Sequence, residues 1–146
     1  MTPLDLTVRP PRSPRALLDG MLVFARVIDK LRGALPDGKL GEYSIAGLSG
    51  QFYGFFRVTA EELYHCIEEA ESDDDVVQWL HQRVHIDDDM RKTWNAVAEN
   101  HVVTNGNREH VYANYPVARR NPHMTNLLDL LELDDQECFG LGAPLR

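Results

Sequence analysis

Apolar residues recur along most of the chain at intervals of three and four, which is the spacing of one face of an α-helix. The longest series runs from Leu17 to Leu35 and has a second apolar stripe beside it. Ser13 is a favourable N-cap and Pro14 suits the first helical position, so the pattern predicts a helix that begins at Ser13. Because its apolar face is wide, we expect this helix to be covered on more than one side.

Three further helices are predicted from residues that suit helix starts. Thr59 and Glu62 have the spacing of a capping box, and residues 72–75 repeat it. Asp87 and the two aspartates after it precede a third apolar series. The acidic residues at these positions are explained by the favourable interaction of carboxylates with the N-terminal end of a helix.

Other segments give weaker patterns. Residues 107–115 and 125–133 predict two shorter helices. Residues 33–50 contain five of the ten glycines in the chain, which predicts turns. Within this stretch, residues 42–45 have the composition of one short β-piece near Tyr43, although no partner strand is evident.

The N-terminal segment differs from the rest because residues 1–12 contain three prolines, which disfavour a helix. Leu4, Leu6 and Val8 alternate with polar residues, so we expect an extended basic arm packed on the body. Together the patterns predict an all-α fold, a compact bundle of about five to seven helices around a central N-terminal helix. The predicted organisation is the arm over residues 1–12 and a single helical domain over residues 13–146.

The net charge of the chain is −8 at neutral pH, which argues against general binding to nucleic acid. Residues 1–34 contain six basic and three acidic groups, so this part carries +3 and the remainder carries −11. A cationic N-terminal part and an anionic body either attract each other, within one chain or between chains, or remain two separate solvated faces.

The compartment is also suggested by the sequence. No stretch has the ~18 unbroken apolar residues of a membrane span, and the first residues lack the apolar core of a secretory signal. Cys66 and Cys138 are far apart and have no metal-ligand spacing, so we expect free thiols in a reducing environment. The sequence therefore predicts an acidic, soluble, cytoplasmic protein that has no membrane partner.

His81 and His85 are the strongest candidates for metal ligands. They lie four residues apart, a spacing that on a helix shares a face and can bind zinc. The metalloprotease motif requires glutamate after the first histidine, where Gln82 stands, and no spacing predicts a third ligand. We therefore expect no metal or other cofactor, and keep a metalloprotein that uses His81 and His85 as a weaker alternative.

Familiar catalytic motifs are absent from the sequence. No serine lies in a G-x-S-x-G elbow, and the glycines of residues 33–50 lack phosphate-loop spacing. His65 and Cys66 are adjacent, and adjacent side chains on a helix point about 100° apart, so they form a poor catalytic dyad. The sequence favours a protein that is not an enzyme but leaves the question of catalysis open.

One polar group in the predicted central helix suggests a binding site. Arg26, Asp29 and Lys30 are spaced three and four apart, and Asp29 falls at the edge of the apolar stripe. Because a buried carboxylate requires a partner, we expect Asp29 to be paired, with Arg26 as the partner that its position favours. Either this pair closes the rim of the core, or these residues face a ligand together with Glu42 and Tyr43 from the following glycine-rich segment.

Several short segments of the chain resemble one protein family. They are Asp5-Leu6-Thr7, Pro11-Arg12-Ser13-Pro14, Ala25-Arg26, Ile28-Asp29-Lys30, Arg32, Gly41-Glu42-Tyr43 and Leu127-Leu128-Asp129-Leu130-Leu131-Glu132-Leu133-Asp134. They resemble the bacterial family named domain of unknown function 5069, and the likeness covers nearly the whole chain, with some departure over residues 48–56. The resemblance implies a small cytoplasmic bacterial protein and supplies no catalytic residues.

Three functions are compatible with these observations. The favoured one is a non-catalytic binding or regulatory module that acts through a protein partner or through self-association. The second is a small-molecule binder or enzyme with a polar pocket around Arg26, Asp29, Glu42 and Tyr43. The third is the metalloprotein described above.

Overall fold

The computed structural model describes residues 1–140, and this part of the chain folds into eight helices. They are α1 (Phe24–Gly33), α2 (Leu48–Phe56), α3 (Ala60–Glu69), α4 (Asp73–Arg83), α5 (Asp88–Glu99), α6 (Arg108–Asn114), α7 (Pro116–Arg120) and α8 (Leu127–Cys138). The β-structure of the described residues consists of isolated bridges, one of them between Asp5 and Lys39. The predicted all-α fold class is confirmed, with one helix more than the expected range, and the last six residues of the predicted domain lie outside the described residues.

The first helix begins at Phe24, ten residues after Pro14, the predicted first helical position. Residues 18–21 form a two-residue β-hairpin, in which Leu18 and Met21 exchange backbone hydrogen bonds of 3.2 and 2.9 Å. Asp19 and Gly20 both have positive φ, 52° and 71°, which is the turn geometry that an Asp-Gly pair favours. The predicted start at Ser13 is therefore wrong, because the apolar spacing of this segment belongs to a hairpin that precedes the helix.

Helix α1 is almost fully buried and supports an aromatic core. Nine of its ten residues are buried, including the polar residues Arg26, Asp29 and Lys30. The ring of Phe52 on α2 lies 5.0 Å from that of Phe24 and 5.3 Å from that of Trp94 on α5. The sequence pattern did not predict α2, since its glycines weaken the helical signal, and burial of its apolar side chains compensates for that weakness.

The predicted helix starts at Thr59 and Asp87 are confirmed. The Thr59 hydroxyl accepts the Glu62 amide at 3.0 Å, and the Glu62 carboxylate accepts the Thr59 amide at 3.3 Å. The Asp87 carboxylate accepts the Met90 amide at 2.9 Å. Ser72 caps α4 as expected, but only half of the second box forms, because Asp75 accepts the amide of Glu71 instead.

The N-terminal segment lies along the end of α1 and the turn that follows it. Leu4 donates to the Arg32 carbonyl at 3.2 Å and accepts from the Lys39 amide at 2.9 Å, and Leu6 donates to the Lys39 carbonyl at 2.8 Å. Leu4 and Leu6 are buried, whereas Val8 is 71% exposed, so the alternation of the arm ends at Leu6.

The chain forms two compact units, one of residues Met1–Asn95 and one from Ala96 onward, with the boundary inside α5. In the second unit, Val111, Ala118 and Leu130 form a small apolar cluster. The division of the chain into an arm and a single helical domain stays a prediction. Within residues 1–140, every helix is too short or too polar to span a bilayer.

Candidate functional site

The structure distributes the predicted ligand-binding residues over two environments. Arg26, Asp29 and Lys30 are buried on α1, whereas Glu42 is exposed and Tyr43 is half-buried in the segment after the helix. The guanidinium carbon of Arg26 lies 5.5 Å from the centroid of the Tyr43 ring, so these two predicted residues do meet. Such a distance allows a cation–π interaction.

The Asp29 carboxylate pairs with Arg12. The backbone amide, Nε and Nη2 of Arg12 donate to Asp29 at 2.8, 3.0 and 3.0 Å, and Arg32 Nη1 lies 3.7 Å from the same group. Arg26 Nη1 donates instead to the backbone carbonyl of Arg12 at 3.2 Å. Among the described contacts, the partner of Asp29 is therefore Arg12 and not the expected Arg26, because the extended segment before the hairpin brings the Arg12 guanidinium onto the carboxylate.

Arg12 also connects this pair to the acidic start of α4. Its Nη1 and Nη2 atoms donate to the Asp73 carboxylate at 2.7 and 3.0 Å. The hydrogen bond to Asp73, followed by the contacts with Asp29, raises the pKa of Arg12 above its ordinary value despite partial burial. The cationic N-terminal part and the acidic residues of the body thus meet within one chain.

These contacts explain Asp29 as an internal anchor. Its side chain is only 7% exposed, and the described hydrogen bonds occupy both of its oxygen atoms. Asp29 thus ties the N-terminal segment to α1, and Arg12 extends the network to α4 through Asp73. Whether Arg26, Lys30, Glu42 and Tyr43 bind a ligand stays a prediction.

An open groove between α3 and α4 has a different character. It has a volume of about 450 Å³ and is called the α3–α4 groove below. Its lining residues are Glu62, His65, Cys66, Glu69, Ala70, Asp75, Trp79 and Arg83. Asp75, one of the acidic residues in the first turn of α4, therefore also lines this concave surface.

An arginine is stacked on the aromatic ring of this groove. The guanidinium carbon of Arg83 lies 4.4 Å from the centroid of the Trp79 ring, and Arg83 Nη1 lies 2.6 Å from Glu62 Oε2. Helical spacing positions the stack, since Trp79 and Arg83 are four residues apart on α4. Glu62 reaches them from the first turn of α3, where it also completes the capping box.

The groove contains one thiol and one imidazole, Cys66 and His65, whose environments differ. Burial raises the pKa of the Cys66 thiol to about 11, so it stays protonated at neutral pH. His65 Nδ1 lies 2.8 Å from Glu68 Oε1, and this hydrogen bond raises the pKa of the exposed imidazole. The expectation that adjacent His65 and Cys66 form a poor catalytic dyad stays a prediction.

The two candidate metal ligands do not share a helical face. Helix α4 ends at Arg83, so His85 lies beyond it and is exposed. His81 Nε2 contacts Asp19 Oδ2 at 2.6 Å, and Arg91 Nη2 contacts Asp19 Oδ1 at 3.1 Å. Among the residues that the structure describes, no three His, Cys, Asp or Glu side chains are grouped so that they could hold a metal ion.

A smaller pocket of about 290 Å³ lies in the second unit. Its lining residues are Asn100, His101, Val102, Thr104, Asn107, Val111 and Leu127. His101 Nδ1 contacts the Val97 carbonyl at 2.8 Å, which requires the proton on that nitrogen. Without an acidic or permanently charged side chain in its lining, this pocket offers fewer strong contacts than the α3–α4 groove.

Sequence reasoning missed Trp79, Arg83 and Glu62 as functional candidates. The available signal was the four-residue spacing of Trp79 and Arg83, which is the spacing of a stacked pair on one helix face. It does not reveal Glu62, because the register between α3 and α4 is set by packing. The capping box explained Glu62 fully at the level of sequence.

Comparison with known proteins leaves the activity open but assigns the family. No curated protein matches the chain. A family profile matches residues 8–137, which include Arg12, Asp29 and every residue that lines the α3–α4 groove. The chain therefore belongs to the family described as Domain of unknown function (DUF5069).

Proposed function

We propose that the protein is a non-catalytic binding module whose α3–α4 groove receives a basic segment of a protein partner. The observation that carries the proposal is the lining of this groove. It combines a half-buried aromatic ring, Trp79, with three carboxylates and a single arginine. A cationic, extended segment complements such a surface in both charge and shape.

Electrostatics favours a basic partner over an acidic one. Glu62 is already paired with Arg83, but Glu69 is exposed at the rim and available to an incoming cation. The whole chain carries −8, so its long-range field also attracts cationic partners. An acidic segment would be repelled both by the exposed carboxylate at the rim of the groove and by the net negative charge of the chain.

The shape of the groove favours a protein partner over a small metabolite. Pockets for small molecules are mostly enclosed and apolar, with few polar groups, whereas this groove is open and rich in charge. The Cys66 thiol, whose raised pKa keeps it protonated at neutral pH, is not an activated nucleophile. These features support binding without chemical conversion.

The test is a titration of isotope-labelled protein with a short peptide rich in arginine and lysine, followed by amide and indole NMR signals. We expect shifts concentrated on α3 and α4 and at the Trp79 indole, and none with a glutamate-rich peptide of equal length. Glu69→Gln should weaken binding about two- to fivefold, the range for one exposed charge pair. Glu109→Gln, an exposed glutamate on α6, is the matched control and should leave affinity unchanged.

Two results would overturn the proposal. Shifts spread evenly over the surface, with equal affinity in Glu69→Gln and wild type, would indicate nonspecific attraction. A dimer that forms without peptide and is lost in Glu69→Gln would assign the groove to a second copy of the chain. Size-exclusion chromatography over a range of protein concentrations distinguishes that case.

A further inference from the structure

We infer that the α3–α4 groove is specific for arginine, and that Arg83 is an internal occupant which an arginine of the partner replaces. The inference rests on the proposed function and adds the chemical identity of the recognised side chain. It also adds a regulatory consequence, because Arg83 in the site competes with the partner's arginine for the same position.

The geometry around Arg83 is that of a guanidinium recognition site. One face of the group lies over Trp79 at 4.4 Å, and one of its terminal nitrogens lies 2.6 Å from the Glu62 carboxylate. An aromatic face combined with a carboxylate at the edge is the pairing that suits a planar, delocalised cation. The chain therefore displays, with its own side chain, how the site holds an arginine.

The internal occupant is placed where it can leave. Arg83 is the last residue of α4, and its side chain is 47% exposed, while that of Glu62 is 39% exposed. Exposed ion pairs of this kind exchange readily with water because their net stabilisation is small. The site itself is better fixed, since Glu62 is held by the Thr59 capping box and Trp79 is half-buried on α4.

Arginine suits this site better than lysine does. A guanidinium can stack on the indole and donate from its edge at the same time, whereas an ammonium is a compact charge without a plane. Glu69, further along the rim of the groove, is then available for a neighbouring basic residue of the partner. The expected motif is an arginine beside at least one other cation.

Competition by Arg83 has a measurable consequence. If the site is free only part of the time, the apparent affinity is reduced by that free fraction, so removal of the occupant should strengthen binding. An occupancy of 80–90% would correspond to a gain of about five- to tenfold. Because removal of a positive charge also attracts any cationic peptide, the variant that decides the question must keep the charge.

The experiment measures binding of two matched peptides, one with arginine and one with lysine at the central position, by isothermal titration calorimetry. Arg83→Lys keeps the charge and loses the stacked guanidinium. We expect it to bind the arginine peptide about five- to tenfold more tightly than wild type does, with little change for the lysine peptide. Trp79→Leu should abolish the preference for arginine, and Arg108→Lys on α6 is the control that should change nothing.

The outcomes separate this inference from the proposed function. Weaker binding of the arginine peptide by Arg83→Lys would make Arg83 a contact residue for the partner, which overturns the inference and leaves the proposed function standing. Equal affinity of the wild type for both peptides would overturn the arginine specificity alone. Absence of binding in wild type and in Arg83→Lys would overturn both, and circular dichroism of each variant confirms that the fold is intact.

Discussion

Two arginines of the first unit make similar bonds in very different surroundings. Arg12 joins Asp29 and Asp73, and the side chain of Asp29 is 7% exposed. Arg83 joins Glu62, and both side chains are more than one-third exposed. In each case a guanidinium reaches the first turn of a neighbouring helix, so the chemistry of the contact is the same.

Burial separates the roles of these two contacts. A carboxylate that has left water depends on its partner, because loss of the partner leaves an uncompensated charge in a poorly solvated place. An exposed carboxylate regains water when its partner leaves, so the pair forms and opens at little cost. The Arg12 network therefore acts as structure, whereas the Arg83 pair remains available for exchange.

The largest expected effect comes from Arg12→Met. It should lower the free energy of unfolding by about 2 to 4 kcal/mol, somewhat below the usual loss for a buried pair because the Arg12 side chain is 37% exposed. Chemical denaturation at neutral pH measures the change.

The matched control for Arg12→Met is the double variant that also carries Asp29→Leu. Removal of both charges should restore part of the lost stability, since no unpaired buried carboxylate then remains and Asp73 is exposed enough to be solvated without Arg12. A loss below about 1 kcal/mol for Arg12→Met would place this network with ordinary surface pairs and remove the contrast with Arg83.

A smaller effect on the free energy of unfolding is expected from ionisation of the Cys66 thiol, which is intermediate in burial. Its pKa is raised from near 9 to about 11 in the fold. The protonated thiol therefore contributes stability that is fully present below about pH 9 and is lost as the pH rises towards 11.

Denaturation midpoints between pH 8 and 11 test this effect, and the pH range follows from the raised pKa. The Cys66-dependent part of the loss should be about 1 kcal/mol, after allowance for partial solvent exposure. The decline should be smaller in Cys66→Ala and unchanged in Cys138→Ala. Equal alkaline decline in both variants would contradict the assignment.

The smallest effect on stability is expected from Arg83→Met. The free energy of unfolding should change by less than about 1 kcal/mol, because both members of the Arg83–Glu62 pair are exposed. The same denaturation assay applied to Arg12→Met gives the direct comparison. A loss as large as that of Arg12→Met would show that the groove pair is structural and would argue against Arg83 as a replaceable occupant.

Much of the helical framework could be predicted because helix starts are local. The Thr59 capping box and the Asp87 cap involve groups within three residues of each other, so their geometry follows from the chain itself. The hairpin at Asp19-Gly20 was equally local and was missed only because apolar spacing was given more weight than the turn signal.

The candidate site could be predicted only in part. The position of Asp29 at the edge of an apolar stripe indicated a buried, paired carboxylate, and the structure confirms its burial and its pairing. The identity of the partner could not follow from helical spacing, since Arg12 lies seventeen residues away and arrives through an extended segment. The α3–α4 groove could not be predicted either, because its lining residues come from two helices that only packing brings together.

The sequence by itself determined the helical class, the starts of α3, α4 and α5 and the need to neutralise a carboxylate in the central helix, because these depend on periodicity and on short-range hydrogen bonds. Only the tertiary structure decided that Arg12 meets Asp29 while Arg83 stacks on Trp79 beside Glu62. Such pairs depend on the register of packed helices, which arises from the fit of many apolar side chains at once. That same packing sets how much water reaches each arginine, and so separates an anchor from a candidate binding site.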